Sequence, residues 1–381
     1  ERLSEVAPET TIGHKAFMRK MMLQHAQTNE LEPLKPVFIS LQKLAAENQL
    51  SEIEDEAMLD QALLWSRLAG KVAGAEDKAL DLYNQVLVGT APSLANTAEK
   101  EGHTLFVHHI SQKLSDKSQL ESIVLWRRYP QLREPSGPLH GQALKTYRSM
   151  LLQLASAMRD LMDFQAAEQL LTTLYADTQS SVEGDRVMLE RAKLWLDRGD
   201  KDGYAKIMRW LEAHSFTLYR PEMLLLAAGI QLTSGQSNAA SQTLKQVAEQ
   251  DLAPDMRASY WTTKAGIAEA LGQWHSAASA WSRHNTLLSS IHYEASLHLA
   301  DALYMAGEYA KARDAYLDID EEHRNPRWQY RMAVSEMRSG QWTRAQERLQ
   351  SLMQNTEASE YALRARLMLA DKRADHLMEK M

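Results

Sequence analysis

Cysteine is absent from the 381-residue chain. No disulfide can staple it, no thiolate can serve as nucleophile, and no thiolate-ligated metal site can form. A complete lack of thiols also fits a compartment where they are a liability, which points to the bacterial periplasm or another cell-envelope location, with the cytoplasm as the alternative. No apolar run reaches the roughly 18 residues that a spanning helix requires, so no direct membrane insertion of this segment is expected. The polar opening "ERLSEVAPETTIG" has neither a starting Met nor a signal segment. It reads as a mature or trimmed chain, anchored, if at all, through a segment preceding it. Also missing are a Gly-rich phosphate loop, an HExxH pair and a nucleophile elbow, so no catalytic residue, cofactor or metal is assigned. The net charge of −7 is carried by interspersed Lys, Arg, Asp and Glu. That excludes a general attraction to nucleic acid or anionic lipid. No segment alternates strictly between apolar and polar residues, so no sheet is expected.

What is present is helical and repetitive. In "DALYMAGEYAKARDAYLDI" (301–319) small residues alternate with Tyr304, Tyr309 and Tyr316 around Gly307. Gly is poor inside a helix by about 1 kcal/mol, so Gly307 reads as a turn between two helices that approach closely through their alanines. Aligned on that glycine, "EALGQWHSAASAW" (269–281) and "MRSGQWTRAQERL" (337–349) repeat it. Each copy carries an aromatic ring two residues after the Gly (Trp274, Tyr309, Trp342), an alanine three further on (Ala277, Ala312, Ala345), and a large apolar residue four beyond that (Trp281, Tyr316, Leu349). Weaker copies centre on Gly235, Gly199 and Met162, giving anchors 33 to 37 residues apart. A fixed period of this size is the mark of a stacked array of supersecondary units.

The pattern resembles the tetratricopeptide repeat, with Trp261, Ala265, Gly272, Ala277 and Trp281 in one copy and Leu299, Ala300, Leu303, Gly307, Ala312 and Tyr316 in the next. The departures are Met162 at a Gly position, Tyr204 at an Ala position, and Pro254 and Pro326 off register. The resemblance implies an all-α solenoid, a right-handed superhelix of antiparallel helix hairpins. Four parts are expected: an N-terminal helical, degenerate repeat-like region (1–128), a Pro/Gly-rich loop or linker (129–142), a repeat array (143–355) and a C-terminal capping helix (356–381). The cap is expected to cover the last hairpin with Leu363, Leu367, Ala370 and Ala374, leaving Arg364, Lys372 and Arg373 in water, because an array exposes an apolar end.

Three constellations carry other readings. His103, His108 and His109 lack the i, i+4 spacing of a helical metal pair. Met18, Met21 and Met22, interleaved with Lys15, Arg19 and Lys20, read as the buried face of a helix rather than a membrane-lying stripe. "WRRYPQLREP" sets Arg127, Arg128 and Arg133 among aromatic rings, as single-stranded nucleic-acid sites do, but on an acidic chain it reads as a structural cation–π cluster.

Function then follows from the resemblance, which implies a concave groove lined by the first helix of each hairpin and holding a peptide or an amphipathic helix of a protein partner. The corresponding positions are Glu222, Leu225, Gly229 and Leu232; Ser259, Thr262, Gly266 and Glu269; Glu294, Leu297, Asp301 and Tyr304; and Arg327, Tyr330, Val334 and Met337. Thr262, Glu269, Leu297, Asp301, Tyr304, Arg327, Tyr330, Val334 and Met337 are the candidate partner-binding residues, with Tyr304 and Tyr330 as aromatic anchors. The expectation is a non-catalytic scaffold or adaptor of a multiprotein envelope assembly: a pilus, secretion, flagellar or polysaccharide-export machine. The alternatives are a superhelical accessory domain of a larger enzyme such as a lytic transglycosylase, or an RNA-binding helical repeat.

Overall fold

The structure, a computed structural model, describes residues 10–134, 137–179, 181–288, 293–319, 325–354 and 359–378. Among these residues there are nineteen α-helices and no strand. They belong to two compact units, Glu1–Ser180 and Ser181–Met381.

The first unit contains α1 (Thr11–Gln24), α2 (Leu31–Glu47), α3 (Glu52–Arg67), α4 (Ala75–Leu87), α5 (Pro92–Ser115), α6 (Gln119–Arg128), α7 (Gly141–Asp160) and α8 (Phe164–Thr178). From α2 to α6 each helix packs on the next; α3 also packs on α5, and α7 on α8. Met18 and Met21 are buried, as expected of an apolar helix face. So are Ala79 and Tyr83, whose hairpin turns at Gly74 with φ of 73°. Asp55 of α3 is buried, and its Oδ2 accepts hydrogen bonds from Thr90 N (2.6 Å), Thr90 Oγ1 (3.0 Å) and Ala91 N (2.8 Å). One carboxylate thereby satisfies the backbone that opens α5, work usually done by a local cap. Gly89 is required there, because a Cβ would lie 2.1 Å from the Asp55 carboxylate.

The 129–142 stretch does not separate two bodies. Both α5 and α6 pack against α7, and Tyr129 and Leu132 are buried beneath them. Its prolines and glycines bend the chain locally while the flanking helices share a core. The compact units divide at 180/181 instead.

The second unit contains α9 (Val182–Asp197), α10 (Gly203–Ala213), α11 (Arg220–Thr233), α12 (Ser237–Leu244), α13 (Arg257–Ala270), α14 (Trp274–Leu287), α15 (Tyr293–Met305), α16 (Tyr309–Leu317), α17 (Pro326–Arg338), α18 (Trp342–Gln354) and α19 (Ser359–Met378). Neighbours pair in sequence, and α9–α11, α11–α13, α15–α17 and α17–α19 also touch, so the first helices of successive hairpins lie side by side. Every repeat glycine from 199 to 340 has φ between 68° and 84°. At Gly272 the turn is closed by Gly272 N–H to Glu269 O (3.0 Å) and Gln273 N–H to Ala268 O (2.8 Å), and the same pair of bonds recurs at Gly199, Gly235, Gly307 and Gly340. This is the αL helix ending in which a positive-φ residue lets the last carbonyls be satisfied. The next residue, Gln236, Gln273 or Glu308, already caps the following helix. Met162, in the first unit, makes the same bonds with φ of 62° and 76 % exposure, so it occupies the glycine position without a glycine.

Ala277, Ala312 and Ala345 are fully buried, as are Tyr316 and Leu349, which is why the small residues recur: they set the helix separation that the rings then fill. A polar brace crosses most hairpins inside this packing. Gln231 accepts from Thr243 Oγ1 (2.7 Å), Glu269 from Trp281 Nε1 (2.6 Å), Asp301 from the Tyr316 hydroxyl, and Glu336 binds Arg348 through two nitrogens (2.9 and 3.0 Å).

The final helix does cover the last hairpin, packing on α17 and α18, but with a different face. Ala362, Ala365 and Leu369 are buried, whereas Leu363 and Leu367 are 57 % and 64 % exposed and Ala370 is exposed. Two apolar stripes run along α19, and the smaller one, able to approach closely beside Tyr361 and Met368, is the one that packs. Arg364 is exposed and pairs with Glu360 (2.7 Å). The side chains of Lys372, Arg373 and Ala374 lie outside the described residues.

Candidate partner-binding surface

A chain of side chains runs over the first helices of the last hairpins. Glu269 on α13 lies 3.3 Å from His298 Nδ1 on α15. His298 stacks on Trp281, with ring centroids 4.8 Å apart. The hydrogen bond to Glu269 raises the His298 pKa against the lowering effect of its burial, so this imidazole favours the charged form. One turn on, Asp301 accepts from Arg327 Nη2 of α17 (2.8 Å) and from the Tyr316 hydroxyl, and forms an ion pair with Arg331 of the same helix (Nη1 at 2.6 Å). Arg331 lies over the Tyr304 ring at 5.2 Å, and Tyr304 meets Tyr309 edge-on at 5.8 Å. Tyr330 sits 5.9 Å from Tyr361 of α19.

Asp301, Tyr304 and Arg327 are thus brought together, and Glu269 stands one helix away. Thr262 is exposed, with its hydroxyl donating to Ala258 O (3.2 Å); Leu297 and Met337 are half-buried. Val334 is only 6 % exposed, so it belongs to the core more than to a surface. Further up the array, Glu222 and Leu225 are buried, with Glu222 accepting from Ala253 N (3.2 Å). Gly229 and Gly266 are where first helices meet: a Cβ would lie 3.2 Å from Leu196 and 2.9 Å from Leu232, respectively. The groove register inferred from the repeats therefore mixes surface with packing positions.

His298, Arg331 and Tyr361 join the surface without having been singled out from the sequence. Two of them, His298 and Arg331, directly follow selected positions, Leu297 and Tyr330, so the signal was present but about one residue, or 100° of helix rotation, away. Asp301 and Glu269 are already spoken for by internal partners. Arg327 is exposed and Tyr304 half-buried, so both retain surface able to meet something else.

Among the described residues no group of three metal-ligating side chains converges, and no helix is long and apolar enough to cross a membrane. Of the clustered histidines, His103 Nδ1 lies 2.9 Å from Leu132 O and His109 Nε2 lies 3.7 Å from Asp77 Oδ1. Both are buried, and burial lowers both pKa values, as expected of neutral core imidazoles. Arg128 holds Asp81 (2.8 and 2.9 Å) and Arg127 pairs with Asp163, which makes much of the arginine run structural.

Paired antiparallel helices, αL turns at a fixed period and buried alanines at fixed places define a tetratricopeptide-like helical-repeat fold. No family profile and no curated protein sequence matches the chain. Among solved structures, a tetratricopeptide repeat protein from Parabacteroides merdae is 13 % identical over 69 % of this chain and 98 % of its own, with a TM-score of 0.40. The TPR domain of P58(IPK) is 11 % identical over 94 % of this chain and 98 % of its own, with a TM-score of 0.27.

Proposed function

We propose that the chain is a non-catalytic protein-interaction scaffold whose second unit holds a peptide or an amphipathic helix of a partner along α13, α15 and α17. The observation that carries the reading is the convergence of Tyr304, Arg327 and Arg331 from adjacent first helices. This pairs an aromatic contact surface with oriented guanidinium groups. Asp301 holds both arginines in place, so less side-chain freedom is lost when a partner arrives. The absence of thiols supports service in a bacterial envelope assembly such as a pilus, secretion, flagellar or export machine.

The test is site-specific photocrosslinking in the native host. A benzophenone amino acid replaces Tyr304, Arg327 or, as comparison, Lys311 on the exposed face of α16. Adducts of one defined mass at 304 and 327 but not at 311 are expected. Adducts at 311 alone would place the partner on the second helices and overturn the proposal.

A further inference from the structure

A cleft in the first unit lies outside the surface assigned to that role. It has a volume of about 650 Å³ and lies between α7, α8 and the end of α6, within the roughly 300–1,000 Å³ of small-molecule sites. Its floor is apolar: Leu151 and Leu174 are buried and Leu170 is half-buried. At its wall stands Arg133, fixed on three sides. Its Nε donates to the Trp126 carbonyl (2.8 Å), its guanidinium lies 5.0 Å from the Trp126 ring centre, and its own carbonyl accepts from the Tyr147 hydroxyl (2.7 Å).

No ion pair to Arg133 occurs among the described residues. The other arginines of the lining are engaged, Arg127 with Asp163 and Arg148 with the Asp177 carbonyl (3.3 Å). Burial lowers the Arg133 pKa, as expected of a cation stripped of part of its hydration and given no counter-charge. Such a group gains most from a carboxylate that meets its planar fork. Glu134 and Asp177 on the same lining oppose a polyanion, which argues against a run of phosphates.

We propose that this cleft binds a small amphipathic monocarboxylate, its carboxylate on Arg133 and its apolar body on the leucine floor. The experiment is isothermal titration calorimetry of the full chain with decanoate, below its micellar range, against decanol and decyltrimethylammonium. Saturable one-to-one binding of decanoate is expected, at least tenfold tighter than either control. Arg133→Met should weaken it at least tenfold. Leu170→Trp, which fills the cleft from α8 without touching Arg133, should do the same with an unchanged melting curve, and it decides the matter if Arg133→Met fails to fold. Equal binding of decanol, no saturable binding of decanoate, or full binding by the Leu170→Trp protein would overturn the proposal.

Discussion

The two units solve the same problem, ending one helix and starting another, with different residues. In the second unit five glycines with φ of 68° to 84° close the turns with local backbone bonds. The first unit uses Gly70 and Gly74 but also puts Leu50, Lys117 and Met162 in the αL region, and it draws on the distant Asp55 to satisfy the start of α5. A regular array keeps its hydrogen bonding local and its sequence periodic. The irregular one adds, at the start of α5, a long-range side chain to the local bonds, which makes that joint depend on a single residue.

That contrast can be broken by Asp55→Ala, which removes the acceptor of the buried Ala91 N–H and of the N–H and hydroxyl of Thr90, the exposed residue before it. It should destabilise the first unit by about 2–4 kcal/mol. Hydrogen exchange would show lost protection in α3 to α5 with α13 to α18 unaffected; a uniform loss would mean the turn is not the weak point. Asp60 on α3 sharpens the comparison with the opposite sign. Burial, with Glu56 adding and Arg67 opposing, pushes its carboxyl up to about 7. The folded state therefore holds its proton where the unfolded chain has lost it, and stability falls as pH rises from about 4 through 7. Asp60→Asn should raise the melting temperature at pH 8, by on the order of 1–3 kcal/mol of stability, and leave it unchanged near pH 4.

The turns themselves differ by less. Gly307→Ala puts a side chain at φ of 78° and should lower stability by about 1–2 kcal/mol, whereas Met162→Gly should raise it by up to about 1 kcal/mol; thermal unfolding of both variants checks this. A gain at Gly307 would show that the αL strain is not what glycine relieves here.

The smallest expected effect is the response to mild acid. His103 and His109 have folded pKa values below the ordinary 6.5, so their contribution is complete above 6.5 and is lost as pH falls through the folded values. His298 has a raised value, so its contribution is complete below 6.5 and is lost as pH rises through the folded value. As pH falls from 7 to 5, protection corrected for the intrinsic pH dependence of amide exchange should fall around α5 and rise around α15; His298→Gln should remove the second trend alone.

Much of the fold could be read from the chain because the repeat is local. Gly272, Gly307 and Gly340 all sit in αL turns, and Ala277, Ala312 and Ala345 are all buried at helix contacts. The capping helix was legible as an element and illegible as a face, since α19 is apolar on two sides and periodicity cannot rank Leu363 and Leu367 against Ala362, Ala365 and Leu369. The 129–142 stretch, read as a loop or a linker, bends the backbone while the flanking helices share a core, because proline and glycine report the bend and not where a core ends. Of the candidate surface, the sequence pointed to Tyr304, Asp301 and Arg327 through the repeat frame. His298 and Arg331 escaped because a one-residue offset moves a side chain by about 100° around its helix. Asp55 escaped because its partners, Thr90 and Ala91, lie 35 and 36 residues away.

The glycine turn also fixes where the chain can change length. One residue, Gln273 or Glu308, ends one helix and begins the next, so an insertion there would swing the second helix off its partner. The links from one hairpin to the following one vary in length: 214–219, 245–256, 288–292 and 318–325 separate successive pairs. Insertions, epitope tags and grafted modules should therefore be tolerated at alternate joints only, and relatives that have drifted in repeat length should differ at those joints while keeping the spacing from Ala265 to Trp281 or from Ala300 to Tyr316 intact.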